Sequence, residues 1–181
     1  MIEKERGQLT SQPLNSQHKG NKKLPYRKSS AVKLLELLAN EAARAKYPSV
    51  PFLAPRKFRD YTSNGLTKCI LAFLRIKGHQ AERINSTGRI VDKRMSYTDI
   101  VGRRRTIGNY EWVYSTGTKG TADISAIIGG RSVKIEVKHG RDRMSDAQRR
   151  YQEDVEKAGG IYFIVRDFQE FFDWYNKEFS R

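Results

Sequence analysis

Residues 121–138 read TADISAIIGGRSVKIEVK, and the alternation in the second half of this stretch decides the fold. Val133, Ile135 and Val137 alternate with Lys134, Glu136 and Lys138, so an extended chain turns an apolar face one way and a charged face the other. Gly129-Gly130, set between two apolar runs, is a hairpin signal, because both positions of a tight turn favour positive φ. Two paired strands are predicted, residues 121–128 and 132–138. Pairing through the glycines brings Asp123 to the same end of the sheet as Glu136, with Lys138 next to Glu136 on the same face.

Two carboxylates converging from adjacent strands make an oxygen site suited to Mg²⁺, a cation that favours few carboxylates plus water. Mn²⁺ is the natural substitute. A lysine beside such a cation can orient a water or stabilise charge on a phosphoryl group in its transition state. Ordinary polar-out alternation would place the same residues on a solvated face, with Glu136 and Lys138 as a weak surface pair. Three features favour a site: these are the only acids of otherwise apolar strands, residues 116–122 (TGTKGTA) form a backbone-exposing loop, and the chain is strongly cationic.

The pattern continues downstream. Ala147, Tyr151, Val155 and Ala158 mark a helix beginning at Ser145, which Gly159-Gly160 stops, and residues 161–165 read as a buried strand. Asp167 caps a last helix whose Phe168, Phe171, Phe172, Tyr175 and Phe179 form an aromatic core stripe. Upstream, Leu66, Ile70, Phe73, Leu74 and Lys77 predict a helix over 63–77, with Gly78 as its C′ residue. Residues 79–85 read as a strand, and residues 86–88 as a turn. Residues 88–114 hold few large apolar side chains and the run Arg103-Arg104-Arg105; they read as a basic loop or β-hairpin inserted in the domain, with 112–114 a short strand. Val32, Leu35, Leu38 and Ala42 predict a helix over 30–47, capped by Ser29 or Ser30 and followed by a connector containing Pro48, Pro51 and Pro55. Residues 1–30 are polar and basic, and read as a flexible arm. The expected organisation is therefore an α/β domain over 61–181 with a mixed central β-sheet flanked by helices, preceded by a helical extension over 31–60.

Composition narrows the partner. The 181 residues carry 35 Lys and Arg against 20 Asp and Glu, a formal net charge of +15. Such an excess destabilises a compact state through self-repulsion unless an anionic partner offsets it, and nucleic acid does so by releasing counterions. No apolar run approaches the roughly 20 residues of a membrane span. The single cysteine, Cys69, lies in an apolar stretch and reads as core; it excludes an internal disulfide and a cysteine zinc cluster. The polar start, MIEKERGQLT, has no apolar signal region, so a reducing, cytoplasmic location is expected.

The series Asp123…Glu136-Val137-Lys138 resembles the signature of the PD-(D/E)XK nucleases. Its surroundings are similar to the VRR-NUC and Holliday-junction-resolvase-like branch: Gly78, then Arg83-Ile84-Asn85, then Lys119-Gly120-Thr121-Ala122-Asp123, then Ser145 to Gln148, then Gly159-Gly160-Ile161. The resemblance spans roughly residues 62–175. It implies a restriction-endonuclease-like core and Mg²⁺-dependent cleavage of DNA, extending to structured or branched DNA, in a bacterial or phage setting; RNA stays open. Asp123 and Glu136 would hold the metal with the Val137 carbonyl, Lys138 would orient the attacking water, and Gln148 would support the site. Ser145-x-x-Gln148 is equally a capping box. Arg83, Asn85, Arg103, Arg104, Arg105, Lys119, Arg141, Arg143 and Arg149 are the candidate contacts to nucleic acid. A homodimer would suit double-strand cleavage by one centre per chain. Many members place a Glu at the start of the first core helix. Here residues 61–66 read YTSNGL, with no acid, which opens the alternative of a nucleic-acid-binding protein on a catalytically degenerate scaffold.

Overall fold

The computed structural model describes residues 25–85, 88–115 and 117–179; most of the basic stretch 1–30 therefore lies outside the described residues. Helix α1 (Ser30–Lys46) starts at Ser29, whose side chain accepts the Val32 N–H. Its stripe Val32, Leu35 and Ala39 is buried in the same core as the later helices. Helix α2 (Ser63–Ile76) is capped by Thr62 and ends where Gly78 takes φ +79°, a conformation that glycine adopts without the steric cost of a Cβ.

Four strands form the central sheet: β1 (Gln80–Arg83), β6 (Ile124–Ile128), β7 (Arg131–Val137) and β8 (Ile161–Val165), in the order β1-β6-β7-β8. The sheet is mixed. β1–β6 and β6–β7 are antiparallel, whereas β7–β8 is parallel and needs a crossover, supplied by α3 (Asp146–Lys157). The protein is thus mixed α/β with a sheet flanked by helices, compatible with the restriction-endonuclease-like core. Gly129 and Gly130, at φ +56° and +78°, make the predicted hairpin turn.

One face of the sheet carries Ile124, Ala126, Ile128, Val133, Ile135 and Val137, all buried against α2 and α4 (Phe168–Phe179). Phe73 sits at the centre of this core, edge-on to Phe168, Phe171, Phe172 and Tyr175. Cys69 is fully buried there, and burial pushes its thiol up to about 12. Asp60 joins three parts of the chain: its Oδ2 accepts the N–H of Phe168 at the start of α4, and its Oδ1 accepts the Tyr26 hydroxyl at 2.6 Å.

Three expectations change in detail. β6 begins at Ile124, so Asp123 lies just outside the strand. β8 is an edge strand covered by α3 and α4, with Tyr162 and Val165 buried and its other side chains half-buried. α3 itself buries no residue fully, and Ala158 is exposed.

Residues 88–114 form a two-stage ribbon that shares no ladder with the central sheet. β2 (Arg89–Asp92) pairs with β5 (Tyr110–Val113), and beyond them β3 (Met95–Thr98) pairs with β4 (Arg104–Ile107). Among the described residues, no helix is long and apolar enough to cross a membrane.

Candidate active site at the end of the central strands

The second face of the sheet holds the candidate site. Ile124 pairs with Ile135, so one step further Asp123 stands opposite Glu136. Where β6 stops, the Asp123 side chain replaces the missing backbone acceptor: its Oδ2 takes the Val137 N–H at 3.0 Å. Val137 N–H points towards the β6 side, and its carbonyl points the same way, because an extended residue directs both groups to one edge. Lys138 is held from the other edge, its N–H donating to the Val165 carbonyl at 2.9 Å.

Glu136 and Lys138 are buried, at 2% and 3% exposure. The solvated-face alternative does not describe them. Their charges are compensated locally: Lys138 Nζ lies 3.0 Å from Glu136 Oε1 and 3.5 Å from Asp142 Oδ2. Gln148 bridges the pair, its Nε2 donating to Glu136 Oε1 and its Oε1 accepting from Lys138 Nζ at 2.9 Å. The Tyr162 hydroxyl closes the far side at 3.5 Å from Glu136 Oε2. Burial raises the Glu136 carboxyl above its ordinary range; Lys138 opposes the shift, and the neighbouring Asp123 charge adds to it. Burial likewise pushes the Tyr162 hydroxyl far above its usual value, so it stays a donor.

Gln148 is at once a capping residue and a neighbour of the Glu136–Lys138 pair. Its N–H donates to Ser145 Oγ, and its Oε1 accepts the Ser145 N–H at 3.0 Å as well as Lys138 Nζ. The capping box therefore aims the amide at the Glu–Lys pair. The position of the helix start is set in turn by Gly120, at φ +81°, where an added Cβ would lie 2.3 Å from the Ala147 carbonyl oxygen. Only glycine allows that approach.

Donor chemistry at this point suits a small hard cation. Asp123 spends Oδ2 on a backbone N–H and leaves Oδ1 without a hydrogen bond among the described residues, and Glu136 Oε2 has only the long Tyr162 contact. Two carboxylate oxygens with the Val137 carbonyl edge and water form a set that Mg²⁺ accepts. No cluster of three or more His, Cys, Asp or Glu occurs among the described residues. At the start of α2, Asn64 accepts from Arg83 at 2.6 Å. Asp60 is committed to Phe168 and Tyr26.

No family model matches the chain, and no curated protein matches it.

Around the site, the cationic candidates fall into groups. Arg141 and Arg143 are exposed in the loop after Lys138, and Arg149 is exposed on α3, 4.0 Å from Asp146. Lys119 lines an open cavity of about 560 Å³ with Gly88, Trp112 and Gly120, between the ribbon base and the loop before Asp123. Asn85 is exposed just beyond Ile84, whose N–H donates to the Asp123 carbonyl. Arg83 points elsewhere: it shares the face of Ala81 and meets α2. Arg103, Arg104 and Arg105 lie at the far end of the ribbon, away from the Asp123–Glu136 strands in the chain's ladders. Sequence reasoning missed Tyr162 and Asp142. Tyr162 faces the site through the parallel β7–β8 register, which pairs it with Lys134 and leaves no local trace. Asp142 sits four residues after Lys138, a spacing that signals contact in a helix but not in a loop.

Proposed function

We propose that this protein is a metal-dependent endonuclease that hydrolyses phosphodiester bonds in DNA. The observation that carries the reading is the burial of Glu136 and Lys138 on the charged face of β7, beside Asp123 and bridged by Gln148. Taking two charges out of water costs several kcal/mol per ion unless close partners offset it, and a structural pair gains nothing from a further carboxylate with an open oxygen. A site that must bind a cation and hold a water does. Asp123 Oδ1, Glu136 and the Val137 carbonyl would hold Mg²⁺, or Mn²⁺ in its place. When bound, the ion supplies Lewis acidity at a phosphoryl oxygen. Lys138, held by Gln148 and Glu136, would turn its remaining N–H to the attacking water or to the negative charge that builds on phosphate. Arg141 and Arg143 follow Lys138 in the chain, Arg149 follows Gln148 on α3 and Lys119 precedes Gly120; these would contact the phosphate backbone.

Cleavage of plasmid and branched duplexes with Mg²⁺ or Mn²⁺, compared with Asp123→Ala and Lys138→Ala, tests the reading. Wild-type activity no higher than that of the variants would overturn it. The second reading, a nucleic-acid binder on an inactive scaffold, is favoured by the start of α2, where Ser63 and Asn64 stand without an acid and Asn64 is engaged by Arg83. It predicts salt-dependent binding with no cleavage under any divalent ion.

A further inference from the structure

We propose that the β2–β5 ribbon is a wedge that enters duplex DNA and opens a base step with Ile100 and Val101. The inference rests on the nucleic-acid substrate of the reading above and not on its cleavage chemistry.

The ribbon ends in a turn, with Gly102 N–H donating to the Asp99 carbonyl and Gly102 at φ +78°. Turn positions ordinarily carry Gly, Pro, Asn, Asp or Ser. Here Ile100 and Val101 occupy them, Ile100 fully exposed and Val101 largely so. Two aliphatic side chains at the point of a projecting arm gain nothing from water and touch no core. They are also held in place. The Asp99 carboxylate accepts the N–H groups of Val101 and Arg103 and the Arg105 Nε–H, while the Asp99 N–H donates to the Arg103 carbonyl. Such a tip is preorganised and loses little freedom on insertion.

Charge selects the occupant. Within the ribbon, Lys93 pairs with Glu111, Arg94 with Asp92 and Arg105 with Asp99. Arg89, Arg103 and Arg104 have no acidic partner among the described residues, and the last two follow the aliphatic tip directly after Gly102. An apolar point beside unpaired arginines matches a duplex, with a stack of bases inside two phosphate rows. A two-stranded ribbon also has the width that the major groove admits. The β3–β4 ladder is two-sided in the same sense. Met95, Tyr97 and Ile107 share one face with Arg105, while Ser96, Thr98, Thr106 and Arg104 form the other. A second copy docking tip to tip would bring Arg103 and Arg104 against their own like charges, so it is the weaker occupant.

The experiment uses the full chain in EDTA with a duplex carrying 2-aminopurine at its centre and a dye at each end. The wild type is expected to raise 2-aminopurine fluorescence and to shorten the end-to-end distance. Ile100→Ser/Val101→Ser should abolish both signals and weaken binding about tenfold, with an unchanged salt slope and an unchanged melting temperature. Arg103→Gln/Arg104→Gln should instead reduce the slope of log K against log salt by about 2. Binding without unstacking, or unstacking equal in the tip variant, overturns the wedge and leaves the cleavage reading standing. Failure to bind any duplex at low salt overturns both. Loss of a dimer in Ile100→Ser/Val101→Ser on sedimentation, with DNA signals unchanged, would assign the tip to a copy–copy interface and overturn the proposal.

Discussion

The Lys138 ammonium stands 3.0 Å from Glu136 Oε1, with both side chains at most 4% exposed. Removing either partner strands the other charge in a poor solvent. Lys138→Met strands the buried Glu136 carboxylate and is expected to lower stability by about 3 kcal/mol, a loss that should be clearly smaller in a Glu136→Gln background. Urea unfolding of the four proteins measures the coupling; strict additivity would mean that the two groups do not interact.

Gln148 allows helix capping and site support to be separated. Gln148→Glu keeps an acceptor for the Ser145 N–H but removes the N–H donor to Glu136 and adds a third negative charge beside it. Helix content should be retained while cleavage falls at least tenfold, about 1.4 kcal/mol of barrier. Gln148→Ala should lose activity and in addition about 1 kcal/mol of stability. Circular dichroism melts alongside initial rates decide the matter; equal activity for Gln148→Glu and wild type would confine Gln148 to capping.

A raised Glu136 carboxyl gives a signed pH dependence. The folded, metal-free protein keeps this proton to higher pH than the unfolded chain does, so its contribution to stability falls as pH rises from the ordinary value of 4.5 to the raised one. Metal binding has the opposite trend, because the ion competes with that proton and gains affinity as it leaves. Calorimetric titration with Mg²⁺ across this window should show tighter binding and proton release on ascending pH. A pH-independent affinity would remove Glu136 from the ligand set.

Gly120→Ala tests the contact that positions α3. Positive φ and an approach of 2.3 Å to the Ala147 carbonyl oxygen act together, for an expected loss of about 2 kcal/mol or more. Gly130→Ala shares the positive φ but meets nothing within 4 Å. It should cost less in the same denaturant titration.

Much of this architecture is legible in the chain because its signals are local. Ser29 before an apolar stripe, Gly78 after one, and Gly129-Gly130 between two strands each act within a few residues, and each lies where the pattern places it. The strand alternation also identifies the face shared by Glu136 and Lys138. It does not reveal their burial, which depends on α3 crossing from β7 to β8 and on the parallel register that brings Tyr162 across. The ribbon was ambiguous for a related reason. Its ladders pack against no core, so β2 to β5 are exposed throughout apart from a half-buried Val91 and carry no buried apolar run like those of β6 and β7. Arg83 shows the limit of a motif: the next residue, Ile84, is tied to the Asp123 backbone, yet the Arg83 side chain itself emerges on the opposite face.

β7 is flanked by β6 on one side and β8 on the other, and the pair Glu136–Lys138 sits at its end, Glu136 within the strand and Lys138 one residue beyond it. A central strand is the part of a domain whose amides exchange only through global opening. Fraying can detach the ribbon while these two groups keep their places, whereas loosening α3 withdraws Gln148 from them, so the pair should outlast the ribbon and lose its support together with α3.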